Sequence, residues 1–371
     1  MTSCQQISTS PPGEDVPVHA TLEKCLAASA SSTVAVIGLA KNVGKTTAVN
    51  ELLATSSHRL GLTSLGLDGE AIDHVSGLPK PRIAPPRGAL IATTEGSLQR
   101  SGYELGSIER LPFRTALGAV VVGTASGVGC VEVSGPTTLE ELRLTVARLH
   151  ERGAERVLVD GALNRLGSAS PRVSEGVILA TGAVVGDTVA DVVRATVAAV
   201  EALTLPQISA TGSRALTTVG ESGERLMAFD TEWRRVSFRA RSGLSSRSEF
   251  ARETADRRPA RIYFEGALTD EVLESLVRVL PAKQELDLIV RDPTVIVAPA
   301  SRVHQFLQRG LRLEVQTALN LLAVTVSPFR PVNRPDGAEL FDSLAAALGE
   351  RTALYDVVGG RASPAKPQRH L

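Results

Sequence analysis

The chain of 371 residues holds 40 basic and 40 acidic side chains, with 43% hydrophobic and 22% charged residues, enough apolar content for one large core or two modest ones. Balanced charge without a dense Lys/Arg run gives no field for a nucleic acid or an anionic membrane, and no apolar run reaches the ~18–20 residues that span a bilayer. Cys4, Cys25 and Cys130 are far apart and without a CxxC spacing, which points away from a disulfide framework or structural zinc and toward a reducing, cytoplasmic setting.

Residues 1–28 are polar and weakly periodic, with neither the basic nor the apolar region of a secretory signal, and read as disordered apart from a short helix over Ala20 to Ala28. Beyond them, short β-branched runs alternate with amphipathic stretches, the α/β pattern of a mainly parallel sheet covered by helices. A first strand covers Thr33 to Ile37, followed by a glycine loop and a helix from about Lys45. Leu62 to Leu67 forms a strand ending at Asp68-Gly69-Glu70, and Ala89 to Thr93 another after a proline-rich stretch. Val120–Val122 and Cys130–Val133 read as a hairpin or two ladder strands. A helix over Thr138 to Arg152 carries Glu140 and Glu141 in its first turn, where carboxylates suit the positive end of the dipole, and Gly153 closes it. Arg156 to Val159 is a buried strand ending at Asp160-Gly161, and Val177 to Ala180 another ending at Thr181-Gly182. Asp187 to Leu203 has one apolar helical face. The spacing thus predicts a nucleotide-binding domain over 29–205, a linker or irregular segment over 206–258, a smaller α/β lobe over 259–360 and a disordered tail over 361–371. In that lobe, strands at Ala260–Phe264, Val295–Ala298 and Leu322–Val326 alternate with helices at Asp270–Leu280 and Arg302–Arg309.

Gly38, Leu39, Ala40, Lys41, Asn42, Val43, Gly44, Lys45, Thr46 and Thr47 follow a strand and open a helix, the setting of a phosphate-binding P-loop. Gly44 lets backbone approach phosphate, loop amides point at the anion, Lys45 reaches the β and γ oxygens, and Thr46 can ligate Mg²⁺. Asp68-Gly69 fits a turn and Asp160-Gly161 a strand end, and the MinD/signal-recognition class of P-loop proteins, which the loop resembles, implies that carboxylates at these two places hold Mg²⁺ or orient water. Glu132 fits a solvent-facing strand position as well as a ligand, and Thr181-Gly182 fits plain strand-end punctuation as well as a site lining.

One residue more separates Gly38 from Gly44 than in the strict Walker spacing. This resembles the GTDTxVGKT loop of dethiobiotin synthetases, in the MinD/signal-recognition class of P-loop proteins. Lys41 lies one place from that class's signature lysine and receives no trans-acting role. The strings GLAKNVGKTT, GLTSLGLDGE, PKPRIAP, VLVDGALNR, VILATGA and VSPFRP, spread from about Ser32 to Gly360, resemble the P-loop (KamB-type) subunit of lysine 5,6-aminomutase reactivase. That resemblance implies an ATPase working with a MutS-like, KamC-type partner to restore an adenosylcobalamin-dependent aminomutase. The rival expectation is an ATP-dependent ligase of the dethiobiotin-synthetase kind. Against it, Leu67-Asp68-Gly69-Glu70 stands where those enzymes carry a substrate-binding lysine-proline, and this chain is much longer.

Overall fold

The computed structural model of the chain describes residues 22–66, 82–161, 167–220, 225–237, 247–280, 285–330 and 335–365. In chain order its elements begin with α1 (Leu22–Ala28), β1 (Thr33–Gly38), α2 (Lys45–Thr55), β2 (Leu60–Ser64), β3 (Leu90–Thr94), α3 (Glu95–Ser101), β4 (Leu105–Thr115) and β5 (Gly118–Ala125). Next come α4 (Leu139–Glu151), β6 (Arg156–Asp160), β7 (Gly176–Gly182), α5 (Val189–Leu203), α6 (Ala210–Gly220), β8 (Leu226–Phe229), β9 (Arg235–Val236) and α7 (Arg247–Arg257). The last are β10 (Arg261–Phe264), α8 (Asp270–Val279), β11 (Asp287–Val290), α9 (Ala300–Gln308), β12 (Arg312–Val315), β13 (Leu321–Ser327), α10 (Gly337–Leu348), β14 (Leu354–Asp356) and β15 (Arg361–Ser363).

Two compact units result, one formed by residues 1–193 and 321–371 and the other by 194–320. The first contains a sheet of order β15-β14-β13-β7-β1-β6-β2-β3-β5-β4. Its strands from β14 to β3 run parallel, and antiparallel pairing is confined to the two ends. Continuous apolar runs such as TVAVIG in β1 and GVILATG in β7 suit strands covered on both faces. On one face Val34, Val36, Leu62, Leu158 and Ile178 pack with Val49 and Leu52 of α2. On the other, Val157, Val159, Leu90 and Val122 pack with Leu142, Val146 and Leu149 of α4. Thr138 and Glu141 close a reciprocal capping box at the start of α4, which adds hydrogen bonds to the dipole complement expected of the acidic first turn. His150, near its end, is held between Thr33 Oγ1 at 3.0 Å and the Ala154 carbonyl at 2.9 Å.

The α/β class is as expected, but the division of the chain differs from the sequence reading. Residues 206–258 contain α6, β8, β9 and α7, within the second unit, where a linker was expected. Strand β13 does not complete the C-terminal lobe. It pairs in parallel with β7, and residues 361–363 form β15 against β14 where a free tail was expected. Reading strand and helix alternation along the chain cannot show which sheet a strand joins, and that is what misplaced 321–360. Val295–Ala298 is not a strand: a short 3₁₀ turn occupies Pro293–Val295 and Ile296 makes a single bridge to Leu268. Val120–Val122 belongs to a β4/β5 hairpin, while Val131 makes only one bridge, to Ile83.

The second unit has a sheet of order β12-β11-β10-β8-β9, with β10, β11 and β12 parallel. Phe250, Phe306, Leu273 and Leu276 fill one face with Ile262, Leu288 and Val290; Phe229, Met227, Tyr263 and Ile289 form the other. Buried Asp287 at the start of β11 is paired with Arg261 and Arg312 of the flanking strands, at 3.4 and 2.6 Å.

Tyr263 donates its hydroxyl to Gln316 Oε1 at 3.0 Å. Burial, helped by the nearby Glu265 carboxylate, pushes its phenol up to about 12. A folded chain therefore keeps this proton after an unfolded one, with a phenol pKa of ~10, has lost it. The stabilisation is complete below pH ~10 and falls as pH rises from ~10 toward ~12. In urea titrations the wild type is expected to lose more stability between pH about 9 and about 11 than Tyr263→Phe does. Equal losses would show that the phenol is not linked to folding.

Candidate functional site

Strands β2, β6, β1, β7 and β13 are parallel neighbours, so Ser64, Asp160, Gly38, Gly182 and Ser327 end along one edge of the sheet. The chain passes from β1 through α2 to β2 on the β6 side, and later from β6 across to β7 on the opposite side of β1. The order therefore reverses at β1, and the carboxyl ends of strands at such a reversal form the crevice where open α/β sheets bind ligands.

The loop after β1 occupies that position. The Leu39 amide donates to the Ala180 carbonyl of β7 at 2.9 Å, and Val43 turns inward and is buried. A Cβ on Gly38 would lie 2.7 Å from Val43 Cγ2 and 2.9 Å from Lys45 Cδ, so only glycine lets the loop fold back this closely. Asn42 and Gly44 both have left-handed backbone, with φ of 62° and 86°. Gly44 is also the N-cap of α2. Alternation of left-handed and ordinary residues at a helix start turns successive amides toward a common point, a concavity suited to anions.

The capping pattern agrees. Thr94, Thr138 and Asp336 cap α3, α4 and α10 with side-chain oxygens, whereas α2 has no side-chain cap and no acidic residue in its first turn. The positive end of α2, like that of α9, thus has no side-chain oxygen from its N-cap residue and no carboxylate in its first turn. Lys45, its first residue, donates to the Gly161 carbonyl at 2.9 Å and lies 3.6 Å from Asp160 Oδ1, with the two side chains 16% and 13% exposed. Thr46 and Thr47 follow in the same turn, half-buried, and Lys41 is exposed.

The structure thus brings together Gly38, Asn42, Val43, Gly44, Lys45 and Asp160 from the sequence-derived set. Asp68 and Glu70 lie outside the described residues. No group of three or more His, Cys, Asp or Glu side chains that could hold a metal occurs among the described residues. Mg²⁺ does not require one, since it keeps several waters and takes one or two protein carboxylates with phosphate oxygens.

Glu132 is not a solvent-facing strand residue. It is paired with Arg100, and Ser97 Oγ donates to its Oε1 at 2.9 Å. Its carbonyl accepts from Thr93 Oγ1 at 2.9 Å, while Ser97 Oγ also meets Ser134 Oγ at 2.9 Å. This network ties Glu132 and Ser134 to β3 and α3, and backbone bonds of Gly66 with Gly135 and Pro136 hold the segment beside the end of β2. Two residues at the edge escaped the sequence reading. Ser327 closes on the loop, its Cβ 3.0 Å from where a Cβ of Gly44 would be, and Ser64 ends β2 beside Asp160. The VSPFRP string contains the first and the GLTSLGLDGE string the second, without indicating the place of either.

The chain matches no protein-family model, no curated protein and no solved structure. No helix among the described residues is long and apolar enough to cross a membrane.

The close packing at Gly38 predicts that Gly38→Ala lowers stability by about 1–3 kcal/mol, the usual cost of overpacking. Chemical denaturation measures it, and an unchanged midpoint would mean that the loop yields without cost.

Proposed function

We propose that the Gly38–Thr47 loop binds the phosphates of ATP together with Mg²⁺, and that the chain is the ATP-hydrolysing subunit of a reactivase for an adenosylcobalamin-dependent aminomutase. The observation that carries the nucleotide reading is the meeting of the uncapped α2 N-terminus, the left-handed Asn42 and Gly44, and the Lys45–Asp160 pair at the reversal point of the sheet. These groups fit the ligand. The glycine-lined concavity admits anionic oxygens against backbone, and Thr46 and Asp160 offer the oxygen donors that a hard cation prefers.

Mg·ATP brings an activated γ-phosphoryl group; the chain supplies position and charge. Lys45 would neutralise phosphate oxygens, in exchange for its bond to the Gly161 carbonyl and its ion pair with Asp160, and Asp160 would hold the cation. Because Lys45 belongs to α2 and Asp160 to the neighbouring strand β6, ligand binding exchanges one set of contacts for another between two elements, the kind of local change a nucleotide switch uses.

The strings from GLAKNVGKTT to VSPFRP support a protein client, an aminomutase approached with a MutS-like partner, and the three widely spaced cysteines support a cytoplasmic setting. The ligase reading is favoured by one observation, the extra residue between Gly38 and Gly44.

Lys45→Ala is expected to weaken ATP binding about 10–100-fold, equivalent to the ~1.5–3 kcal/mol of a hydrogen bond to a charged group. At saturating Mg²⁺, Asp160→Asn is expected to keep ATP binding and to lose turnover on the order of 100-fold. Calorimetry and phosphate release measure both, and undiminished binding by Lys45→Ala would remove the nucleotide reading. Affinity capture from native extract separates the two functions. A co-purifying MutS-like ATPase or cobalamin mutase supports the reactivase. Turnover stimulated by a small carboxylic acid or diamine, with no protein partner, supports the ligase.

A further inference from the structure

We infer that Ser64 is a positioning residue for the divalent cation, its hydroxyl accepting a hydrogen bond from a water in the cation's shell beside Asp160; this rests on the nucleotide reading of the loop. Ser64 is the last residue of β2 and pairs in register with Asp160, the last of β6. Neighbouring strands lie ~4.8 Å apart, and residues in register point to the same face. That face is the one covered by α2. Leu62 and Leu158, two residues earlier on the same strands, pack with Leu52 of the helix, and Asp160 itself meets Lys45.

Ser64 is 1% exposed, and among the described residues its Oγ has no hydrogen-bond partner. A hydroxyl withdrawn from water with nothing to bond is destabilising, and an alanine in its place would avoid that cost. Its backbone is fixed as well. Gly135 approaches so closely that a Cβ on it would fall 1.5 Å from the Ser64 carbonyl oxygen, and the Gly66 amide donates to the Pro136 carbonyl at 2.7 Å. The hydroxyl is therefore held next to a carboxylate, on the helix face that carries the loop, and lacks a bond to the described residues. Mg²⁺ retains several of its waters when bound, and those waters need acceptors.

Thr63 supplies the internal control. It is buried, and its Oγ1 also lacks a partner among the described residues, but its register partner is Val159, on the α4 face. A merely structural hydroxyl would behave alike at both positions.

The test compares wild type, Ser64→Ala and Thr63→Val by melting temperature and by equilibrium dialysis of ATP across a Mg²⁺ titration and in EDTA. Ser64→Ala is expected to melt at or above the wild type and to raise the Mg²⁺ concentration for half-maximal ATP binding about tenfold, the scale seen when groups behind a metal ligand are removed. Its ATP affinity in EDTA should be unchanged, and Thr63→Val should leave the Mg²⁺ requirement unaltered. A lower melting temperature with an unchanged Mg²⁺ requirement would assign Ser64 to packing and overturn the inference. So would equal shifts in both variants. If wild-type protein binds no ATP with Mg²⁺, the inference fails together with the nucleotide reading; if it does bind and Ser64→Ala matches it, the inference fails alone.

Discussion

The close approach of Val43 and the Lys45 stem to Gly38 is the contact on which the edge of the first unit depends. With no Cβ at the end of β1, the chain turns back over the strand, buries Val43 and starts α2 directly above β1. That start fixes the direction of the helix axis and brings Lys45 over the neighbouring strand, where Gly161 and Asp160 receive it. Move the loop outward by a methyl group and the lysine, the helix amides and the carboxylate no longer face one point.

Around this contact the edge is stiffened by polar ties. Asn50 of α2 bonds the Arg82 carbonyl and the Ala84 amide, at 3.0 and 3.1 Å, and the Glu132 network ties Glu132 and Ser134 to β3 and α3. Arg330 grips the Gly186 and Asp187 carbonyls and the Asp187 carboxylate. Such bonds add little stability each, about 0.5–1.5 kcal/mol, but they confine connections that would otherwise be free to move around the site.

Much of the first unit is legible in the sequence because its signals are local. The β-branched run of β1, the glycines of the loop, the Thr138–Glu141 cap and the acidic strand end at Asp160 each act within a few residues, and each stands where its pattern places it. What escaped is long-range. Leu322 to Val326 reads as a strand, but its partner β7 lies far back in the chain and carries no mark of the pairing. Ser64 reads as an ordinary polar residue in an apolar run; its interest comes from a register partner on another strand and from the Gly135 backbone closing over it. Glu132 likewise alternates with valines as a strand residue would, and only Arg100, Ser97 and Ser134 together show it to be a tie.

The placement of β13 next to β7, with all of residues 194–320 between them in the chain, affects the order of folding. Strands β1, β2, β6 and β7 can associate as soon as the first half of the chain has left the ribosome, whereas β13 must wait for the second unit to be synthesised. Contacts of such sequence separation are slow to form, and until they do one flank of β7 is an open, hydrogen-bonding edge. Ser327, which closes on Gly44, arrives with that late strand. The edge around Gly44 is therefore completed only after residues 194–320 have been made, when the inserted unit has had time to fold on its own.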